Sequence, residues 1–434
     1  MARDAQGYAL NLLNRFAGSD WADKLGLRKP VEKSAYTLTK TGFKLIATAA
    51  RQFKGPKVDK PARLNRPGHV TDLFDLNITD EQQMIRESVQ SFAKDVLRPA
   101  AHDADEALTM SDELIAQANE LGLTMFAVPE AFGGAAAERS PVTSALIAED
   151  LAYGDLSLAL GILCPISVAN ALTQWGTAEQ QSKYLAAFCS EKPPVATIAV
   201  NEPVPLFNPH RLAMSAYKAA DGWILNGVKS AVPLAHRSEL LLVAAQTVDG
   251  PAVFIVEGGT KGVSYTDGRS MGLRAAGLCD IAFDNVVLPA DAKLGDGDFS
   301  YKQFIDYGSM AWAALAVGSA RSVLDYVIPY VNERVAFGEP IAHRQSVAFM
   351  VANIGIEMEG MRLLAWRAAS RAEQGLDFHR EAFLARTMAA ERGMEIGTNG
   401  VQLLGGHGFT KEHPVERWYR DLRAVGIQYN GLHL

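Results

Sequence analysis

The chain of 434 residues is 48% hydrophobic and 21% charged, which is enough apolar material for a large buried core in two to three domains or one composite unit. No stretch approaches the roughly twenty uninterrupted apolar residues of a membrane span, so we expect a soluble or peripheral protein. Its cysteines, Cys164, Cys189 and Cys279, lack CxxC spacing. We therefore expect reduced thiols in a cytoplasmic protein, with no metal site. We also expect no nucleic-acid partner.

Basic residues are concentrated at the start of the chain. Residues 1–70 contain fourteen Lys and Arg against five Asp and Glu, a net charge of +9, which leaves −16 for the remainder because the total is −7. We interpret residues 1–70 as a separate basic leader and linker. Within it, residues 33–54, plotted at about 100° per residue, place a basic stripe opposite an apolar face that includes Leu45, Ile46 and Phe53.

The amphipathic helix predicted over residues 33–54 has two interpretations. It lies on an anionic membrane surface, with its basic residues at the headgroups and its apolar face turned inward. Alternatively, the apolar face packs on the protein's own body and the lysines are solvated. The first interpretation predicts peripheral contact with the inner face of a membrane, and the second predicts none.

After the leader, apolar residues recur at helical spacing as far as about residue 193. Thr79 and Gln82 have the spacing of a capping box, and the helix that begins there is predicted to run up to Pro99. We expect residues 71–193 to form an N-terminal helical domain. Its further predicted helices are Asp112–Leu121, Pro141–Tyr153, Ser157–Trp175 and Ala178–Ser190.

From residue 194 the period changes to short β-branched runs separated by Gly, Asp and Asn turns. These predict a middle β-domain over residues 194–296. Its predicted strands are Val195–Val200, Trp223–Leu225, Leu240–Ala244, Ala252–Val256 and Ile281–Phe283.

Long helical patterns return in residues 297–434. They predict a C-terminal four-helix bundle, in which the clearest helices are Gly308–Val331, Ser346–Gln374 and Arg380–Leu404. Helices, then strands, then helices in one chain predict a mainly α member of the α+β class in three packed layers. The chain has no Rossmann GxGxxG, P-loop, HExxH or GxSxG signature, so nicotinamide, phosphoryl-transfer, zinc-protease and serine-hydrolase chemistry lack their usual motifs.

Two segments of the C-terminal part carry a resemblance. Glu333–Ile341 with Gln345 reads Arg-x-x-Phe-Gly-x-Pro-Ile-x-x-x-Gln from Arg334 onward, and Val401–Phe409 is a helix end with paired glycines, followed by an Arg-Asp pair. Paired glycines let a flat ligand or another backbone approach closely. Together these segments resemble the acyl-CoA dehydrogenase family of flavoproteins, over roughly residues 76 to 431.

The resemblance implies that FAD is bound, partly across a subunit boundary, by a homodimer or homotetramer. The residues that it assigns to the cofactor are Arg334, Phe337, Gln345, Gln402, Gly405 and Gly406. Arg334 supplies a planar guanidinium for a pyrophosphate; the alternative is a surface ion pair. The paired glycines have the alternative of a plain helix C-cap.

The reaction that the resemblance implies is α,β-dehydrogenation of an acyl-CoA or other acyl thioester, in which the flavin accepts a hydride and a Glu removes the α-proton. Two positions for that base are known in the family. After Asp421, where neither Glu nor Asp follows, the aligned residues are Tyr429 without a gap and Asn430 with a one-residue gap. The other position falls at Gly308, and Asp306 lies two residues before it.

The segments that face the flavin in the family also differ here. Asn201–Asn208 has Pro205 and Phe207 in place of small residues, and Ala231-Val232-Pro233 stands where the family has Trp-Ile-Thr. These changes predict a reshaped isoalloxazine site.

Three hypotheses of function follow. The chain is an acyl-CoA dehydrogenase-type FAD enzyme of fatty acid metabolism, impaired by loss of the usual base, that passes electrons to an electron-transfer flavoprotein. Alternatively, it is a non-catalytic relative that acts as a binding or assembly subunit, for example at a membrane, or it carries different flavin chemistry on a reshaped pocket. The weak candidates for a replacement base are Tyr429, Asn430 and Asp306.

Overall fold

The computed structural model describes residues 77–136 and 139–434. The predicted leader and linker, residues 1–70 with the amphipathic helix over 33–54, lie outside the described residues. The same is true of residues 71–76, with which the N-terminal helical domain was predicted to begin.

The first layer is helical, as predicted. Its helices are α1 (Asp80–Phe92), α2 (Arg98–Ala107), α3 (Asp112–Glu120), α4 (Pro141–Gly154), α5 (Leu156–Trp175) and α6 (Ala178–Tyr184). The Thr79 capping box is present in both directions. The first helix was wrongly predicted to end at Pro99: a π-helical turn, Ala93–Leu97, joins α1 to α2, and Pro99 lies in the first turn of α2, where its missing N–H is tolerated.

Helix α5 is long and apolar enough to cross a bilayer by length and composition, alone among the helices of residues 77–136 and 139–434. Its residues from Leu156 to Cys164 are all buried, and the apolar side chains among them belong to the main hydrophobic core. Burial on every side explains why its apolar residues show no amphipathic face.

The second layer is one seven-stranded sheet. Its strands are β1 (Ala196–Ala199), β2 (Ser215–Ala219), β3 (Gly222–Val232), β4 (Leu240–Thr247), β5 (Gly250–Glu257), β6 (Val263–Asp267) and β7 (Cys279–Pro289). The order is β1-β4-β2-β3-β7-β6, with β5 on the other edge of β4, and β1 runs parallel to β4. Strands β2 and β6 were not predicted because they are largely solvent-exposed, which weakens the apolar signal.

The third layer contains α7 (Tyr301–Glu333), α8 (Gln345–Glu373), α9 (His379–Leu404) and the shorter α10 (Val415–Ala424). A two-stranded hairpin, β8 (Val335–Ala336) and β9 (Glu339–Pro340), joins α7 to α8. Helix α7 packs against α9, α4 and α8, so it links the first and third layers. The predicted order of helices, strands and helices is confirmed.

A buried contact fixes the sheet against the third layer. Asp421 of α10 accepts a hydrogen bond from the backbone N–H of Leu273 at 2.6 Å. A side chain at Gly272 would meet the carbonyl oxygen of Arg420 at 2.3 Å, so only glycine allows this approach. Burial, and next the carboxylate of Asp155, raise the pKa of Asp421 to about 8.

Candidate cofactor cleft and active-site crevice

A cleft of about 680 Å³ opens where the ends of α7 and α9 meet the hairpin and the start of α8. Five of the six residues assigned to the cofactor line it: Arg334, Phe337, Gln402, Gly405 and Gly406. The sixth, Gln345, is the first residue of α8 and lies between two residues that line the cleft. Residues about seventy positions apart in the sequence thus form one surface.

The hairpin holds Phe337 in an unusual conformation. Phe337 has φ +54°, a left-handed backbone that costs a non-glycine residue on the order of 1 kcal/mol or more, and Gly338 follows with φ +84°. The ring is 95% exposed and faces the Arg344 guanidinium at 5.8 Å. Arg344 in turn pairs with Glu339 at 3.0 Å. An exposed aromatic ring at this rim is available to a ligand or to another chain.

The two glycines at the end of α9 have different roles. Gly405 caps the helix with φ +60° and ψ −130°, a conformation that is essentially restricted to glycine. Gly406 has no such requirement, and a Cβ at either glycine would meet nothing within 4 Å. The cap therefore explains Gly405, whereas no contact within the described residues requires a glycine at position 406.

Arg334 is a cation that lines this cleft. Among the residues that the structure describes, its guanidinium has no ion-pair partner, which removes support for the surface ion-pair alternative. Its backbone is fixed by hydrogen bonds to Tyr330 and from Ile341. A planar guanidinium without an internal partner suits bidentate contact with a pyrophosphate.

A second region, which we call the crevice, lies between the ends of β1 and β3 and helix α7. Residues 428–434, hereafter the plug segment, fill it. The Asn430 side chain is buried at its centre: its oxygen accepts from the backbone N–H groups of Val200 and Asn201 at 2.7 and 2.8 Å. Its amide donates to the carbonyls of Ser230 and Ala231 at 2.8 and 2.9 Å. The Asn430 side chain therefore ties two strand ends together.

Tyr429, the other candidate in this loop, is partly exposed. Its ring faces the Arg386 guanidinium at 4.7 Å and Phe207 at 6.1 Å. Arg386 is buried and donates to the carbonyl of Gln428. Burial lowers the pKa of Arg386 to about 10, and the Tyr429 hydroxyl opposes that shift.

One face of α7 borders the plug segment. A Cβ at Gly308 would lie 2.9 Å from the carbonyl oxygen of Leu432, and the ring of Tyr307 lies 4.8 Å from that of His433. His433 is buried, and burial lowers its pKa well below the ordinary value, so the imidazole is neutral. Its Nε2 lies 3.0 Å from Gln174 Oε1. Both positions at which the resemblance places the family's base thus lie at the plug segment.

The Asp306 side chain lies on another face of α7, away from the crevice. Two residues on a helix differ by about 200°, so Asp306 faces away from Gly308. Its carboxylate pairs with His379 Nδ1 at 2.9 Å, at the start of α9. Burial raises the pKa of Asp306, and the bond to His379 opposes the shift. The structure brings Tyr429 and Asn430 together in the crevice, but not Asp306.

A cavity of about 480 Å³ lies behind the plug segment, on the side of the first layer. Its walls come from α1, α4, α5, Ala311 of α7 and residues 432–434. Sequence reasoning missed this cavity and also missed Arg386. A signal for Arg386 was available, since it lies at helical spacing with Ala382 and Ala389, on a face that is otherwise apolar.

Comparison with known proteins decides the family. Three family models match: the acyl-CoA dehydrogenase N-terminal domain over residues 79–192, the middle domain over 197–286 and the C-terminal domain over 295–429. The chain belongs to the acyl-CoA dehydrogenase family. The resemblance seen in the sequence is confirmed.

Curated relatives agree. The chain is 33% identical to the short/branched chain specific acyl-CoA dehydrogenase of Rattus norvegicus over 368 residues, which is 81% of this chain and 83% of the relative. It is 30% identical to the short-chain specific acyl-CoA dehydrogenase of Megasphaera elsdenii over 82% of this chain and 96% of the relative. Among solved structures, butyryl-CoA dehydrogenase from Megasphaera elsdenii superposes with a TM-score of 0.76 at 28% identity, over 82% of this chain and 96% of the other.

Acyl-CoA dehydrogenases are FAD-dependent oxidoreductases of fatty acid metabolism and are typically oligomeric, and FAD is the cofactor of this family member. The residues of the cleft fit the ADP half of FAD. Arg334 without an ion-pair partner among the described residues suits the pyrophosphate, and the open backbone at Gly406 leaves room for a flat adenine ring. The crevice does not fit the isoalloxazine half. The plug segment is hydrogen-bonded directly to the strand ends that the resemblance assigns to the flavin face.

Proposed function

We propose that this chain is an FAD-binding member of the family that recognises an acyl thioester but dehydrogenates it poorly. One observation carries the proposal: the base position in the loop is Asn430, whose amide is committed to four backbone partners. FAD supplies hydride acceptance at the β-carbon when bound. A primary amide accepts no proton at ordinary pH, so the α-proton has no carboxylate to receive it.

The other titratable groups around the crevice do not replace that carboxylate. His433 is buried and its Nε2 is engaged with Gln174. Arg386 is a cation and cannot act as a base. Asp306 is held by His379 on another face of α7. Tyr429 remains as a phenol in the loop that carries Asn430, with Arg386 beside its ring.

The test is reduction of bound flavin by substrate. Protein loaded with FAD is mixed anaerobically with a panel of acyl-CoA thioesters, and the absorbance band of oxidised flavin at about 450 nm is followed. We expect the thioesters to perturb the band without bleaching it. Prompt bleaching by any of them would contradict the proposed loss of the base. Tyr429→Phe separates the remaining candidate, because slow bleaching that this variant abolishes assigns the base to the phenol.

A second candidate function is a non-catalytic binding or assembly subunit. The filled crevice favours it, because a crevice occupied by the chain's own residues has no room for chemistry. Folded protein that does not bind FAD and stays colourless would support this candidate over the first.

If the protein binds FAD and is active, we propose an electron-transfer flavoprotein as its electron acceptor and a homodimer or homotetramer as its assembly.

A further inference from the structure

Four aromatic side chains join the segment that follows α9 to the C-terminal half of α7. The Tyr330 hydroxyl lies 2.9 Å from His407 Nδ1, and the Tyr326 hydroxyl lies 2.8 Å from His413 Nδ1. The imidazole rings of His407 and His413 are stacked, with their centroids 5.5 Å apart. Tyr330 makes edge-on contacts with both imidazoles. The cluster reaches the cofactor cleft, because Tyr330 and His407 both line it.

The side chains that line the cleft carry only positive charge. Arg334 and Arg344 line it, and no Asp or Glu of the described ranges does. Arg344 is neutralised by its ion pair with Glu339 at 3.0 Å. His407 is exposed, and within the same ranges its Nε2 has no hydrogen-bond partner. A proton on His407 would therefore give the cleft a second unpaired cation, in addition to Arg334.

The two tyrosine hydroxyls differ in how they can respond to an added proton. Nδ1 of a neutral imidazole can accept a hydrogen bond from a phenol, but Nδ1–H of an imidazolium must donate to it, so the phenol then needs another acceptor. The carbonyl oxygen of Leu404 lies 3.4 Å from the Tyr330 hydroxyl and can accept. The Tyr326 hydroxyl has no second acceptor in the part of the chain that the structure describes. Protonation is therefore less costly at His407 than at His413.

The stacked geometry limits the pair to one proton, since two imidazolium rings 5.5 Å apart repel each other. The other titratable or charged groups around the two rings, on α7, at the start of α8 and on the turn between the histidines, are Tyr326, Tyr330, Arg334, Arg344, Lys411 and Glu412. Lys411 is paired with Glu106, and Glu412 is exposed. At the start of α10, Glu416 is paired with Arg420 at 2.7 Å. The first charged ring therefore opposes protonation of the second.

We propose that His407, in its protonated form, is a ligand-binding residue of the cleft: the stacked pair takes up a single proton, on His407, and this charge acts with Arg334 on a pyrophosphate diester. Histidine is the side chain that changes its charge around neutral pH, so the cleft binds such a ligand more tightly as the pH falls. This inference rests on the FAD site of the proposed function and adds its regulation by protons. It concerns one cleft alone and does not depend on the loss of the base.

The test compares ADP-ribose, a pyrophosphate diester whose own charge is constant around neutral pH, with adenosine, which has no phosphate. The full chain without bound flavin is titrated with each ligand by calorimetry at about pH 6 and at about pH 8. We expect ADP-ribose to bind about tenfold more tightly at the lower pH, and adenosine to bind equally at both. His407→Gln should bind ADP-ribose at both pH values as weakly as wild type does at the higher one.

Two variants are matched controls. Arg334→Met should weaken ADP-ribose binding at both pH values and keep the ratio between them. His413→Gln removes the neighbouring ring but leaves the ligand-binding one, so it should also keep the ratio. Proton NMR of the imidazole C–H signals in the ligand-free chain gives a second measurement. We expect the His407 signals to move between the two pH values and the His413 signals to stay in place.

Four results would overturn the inference: equal affinity of wild type for ADP-ribose at the two pH values, a pH ratio that persists in His407→Gln, titration of His413 in place of His407, or no ADP-ribose binding at either pH. If His407→Gln fails to fold by circular dichroism, the pH ratio of wild type and the NMR titration of its rings decide together. Bleaching of bound flavin by an acyl-CoA would contradict the proposed function and leave this comparison intact.

Discussion

At the residue scale, Asn430 shows how one substitution changes a site's chemistry and its packing together. Its side chain uses both the acceptor and the donor of an amide, and each faces a buried backbone group. A carboxylate of the same shape retains the acceptor but turns an oxygen toward the carbonyls of Ser230 and Ala231. We infer that the amide suits this buried position better than a carboxylate does.

We expect Asn430→Asp to lower the free energy of unfolding by about 3 kcal/mol. The buried carboxylate has no N–H group to donate to the carbonyls of Ser230 and Ala231, and it turns a charged oxygen toward both of them. Urea denaturation measures this loss. Asn353→Asp makes the same change at an exposed position of α8, and we expect it to be nearly neutral. Equal stability of the two variants would show that the hydrogen bonds of Asn430 are not needed.

Asp421 gives the chain a pH dependence of stability. The pKa of Asp421 in the folded protein is raised to about 8, above its ordinary value of 3.8. Between these two pH values the folded protein therefore binds a proton that the unfolded chain has released. Stability from this group is thus fully present below pH 3.8 and is lost as the pH rises toward about 8. We expect Asp421→Asn to flatten the decline in unfolding free energy between about pH 4 and pH 8, with exposed Asp298→Asn as the unchanged control. An equally steep decline in both variants would contradict this assignment.

At the element scale, the end of α9 and the β8–β9 hairpin build the cofactor cleft from pieces that are far apart in the sequence. The string from Arg334 to Gln345 and the paired glycines were assigned to FAD through the resemblance, and five of those six residues line the cleft. Their common location arises because α7 and α9 pack side by side and end at the same level.

We expect Gly406→Ala to weaken FAD and ADP binding about tenfold, or about 1.4 kcal/mol, because the new methyl group projects into the cleft. Folding should be unaffected, since a Cβ there meets nothing within 4 Å. Gly297→Ala is the matched control, with the same open surroundings in a loop away from the cleft. Calorimetry and thermal denaturation separate the two effects, and unchanged affinity in Gly406→Ala would remove the glycine from the site.

At the scale of the whole molecule, one face of the third layer is apolar but exposed. Phe349, Ile356 and Leu363 recur every seven residues along α8, and Phe383 of α9 is exposed as well. Apolar side chains at this spacing form a stripe on one side of a helix, and such a stripe is typical of a surface that another chain covers. The cleft opens beside the same helix, so association of chains would enclose it.

We expect Ile356→Glu to dissociate the homo-oligomer into smaller species, since the residue is 67% exposed in the single chain and a carboxylate cannot be buried in an apolar interface. Light scattering after size exclusion gives the mass of each species. Val248→Glu, at an exposed turn of the sheet, should keep the wild-type mass. An Ile356→Glu protein with that same mass would place the interface elsewhere.

The sequence by itself determined the order of the layers, most helices and the family. The layers and helices could be predicted because hydrophobic periodicity is a local property of the sequence. The family could be predicted because the motifs around Arg334 and Gly405 are contiguous in the sequence. The sequence also showed that no carboxylate follows Asp421, since a missing residue type can be read directly. Strands β2 and β6 were not predicted, because strands that are largely exposed lack an apolar pattern in the sequence.

Only the tertiary structure decided what fills the crevice and what Asn430 and Asp306 contact. Those contacts join residues more than seventy positions apart, and their direction depends on the rotation of α7 and on the path of residues 428–434. Sequence patterns specify which face of an element is apolar, but they do not specify which distant backbone groups a single amide will meet.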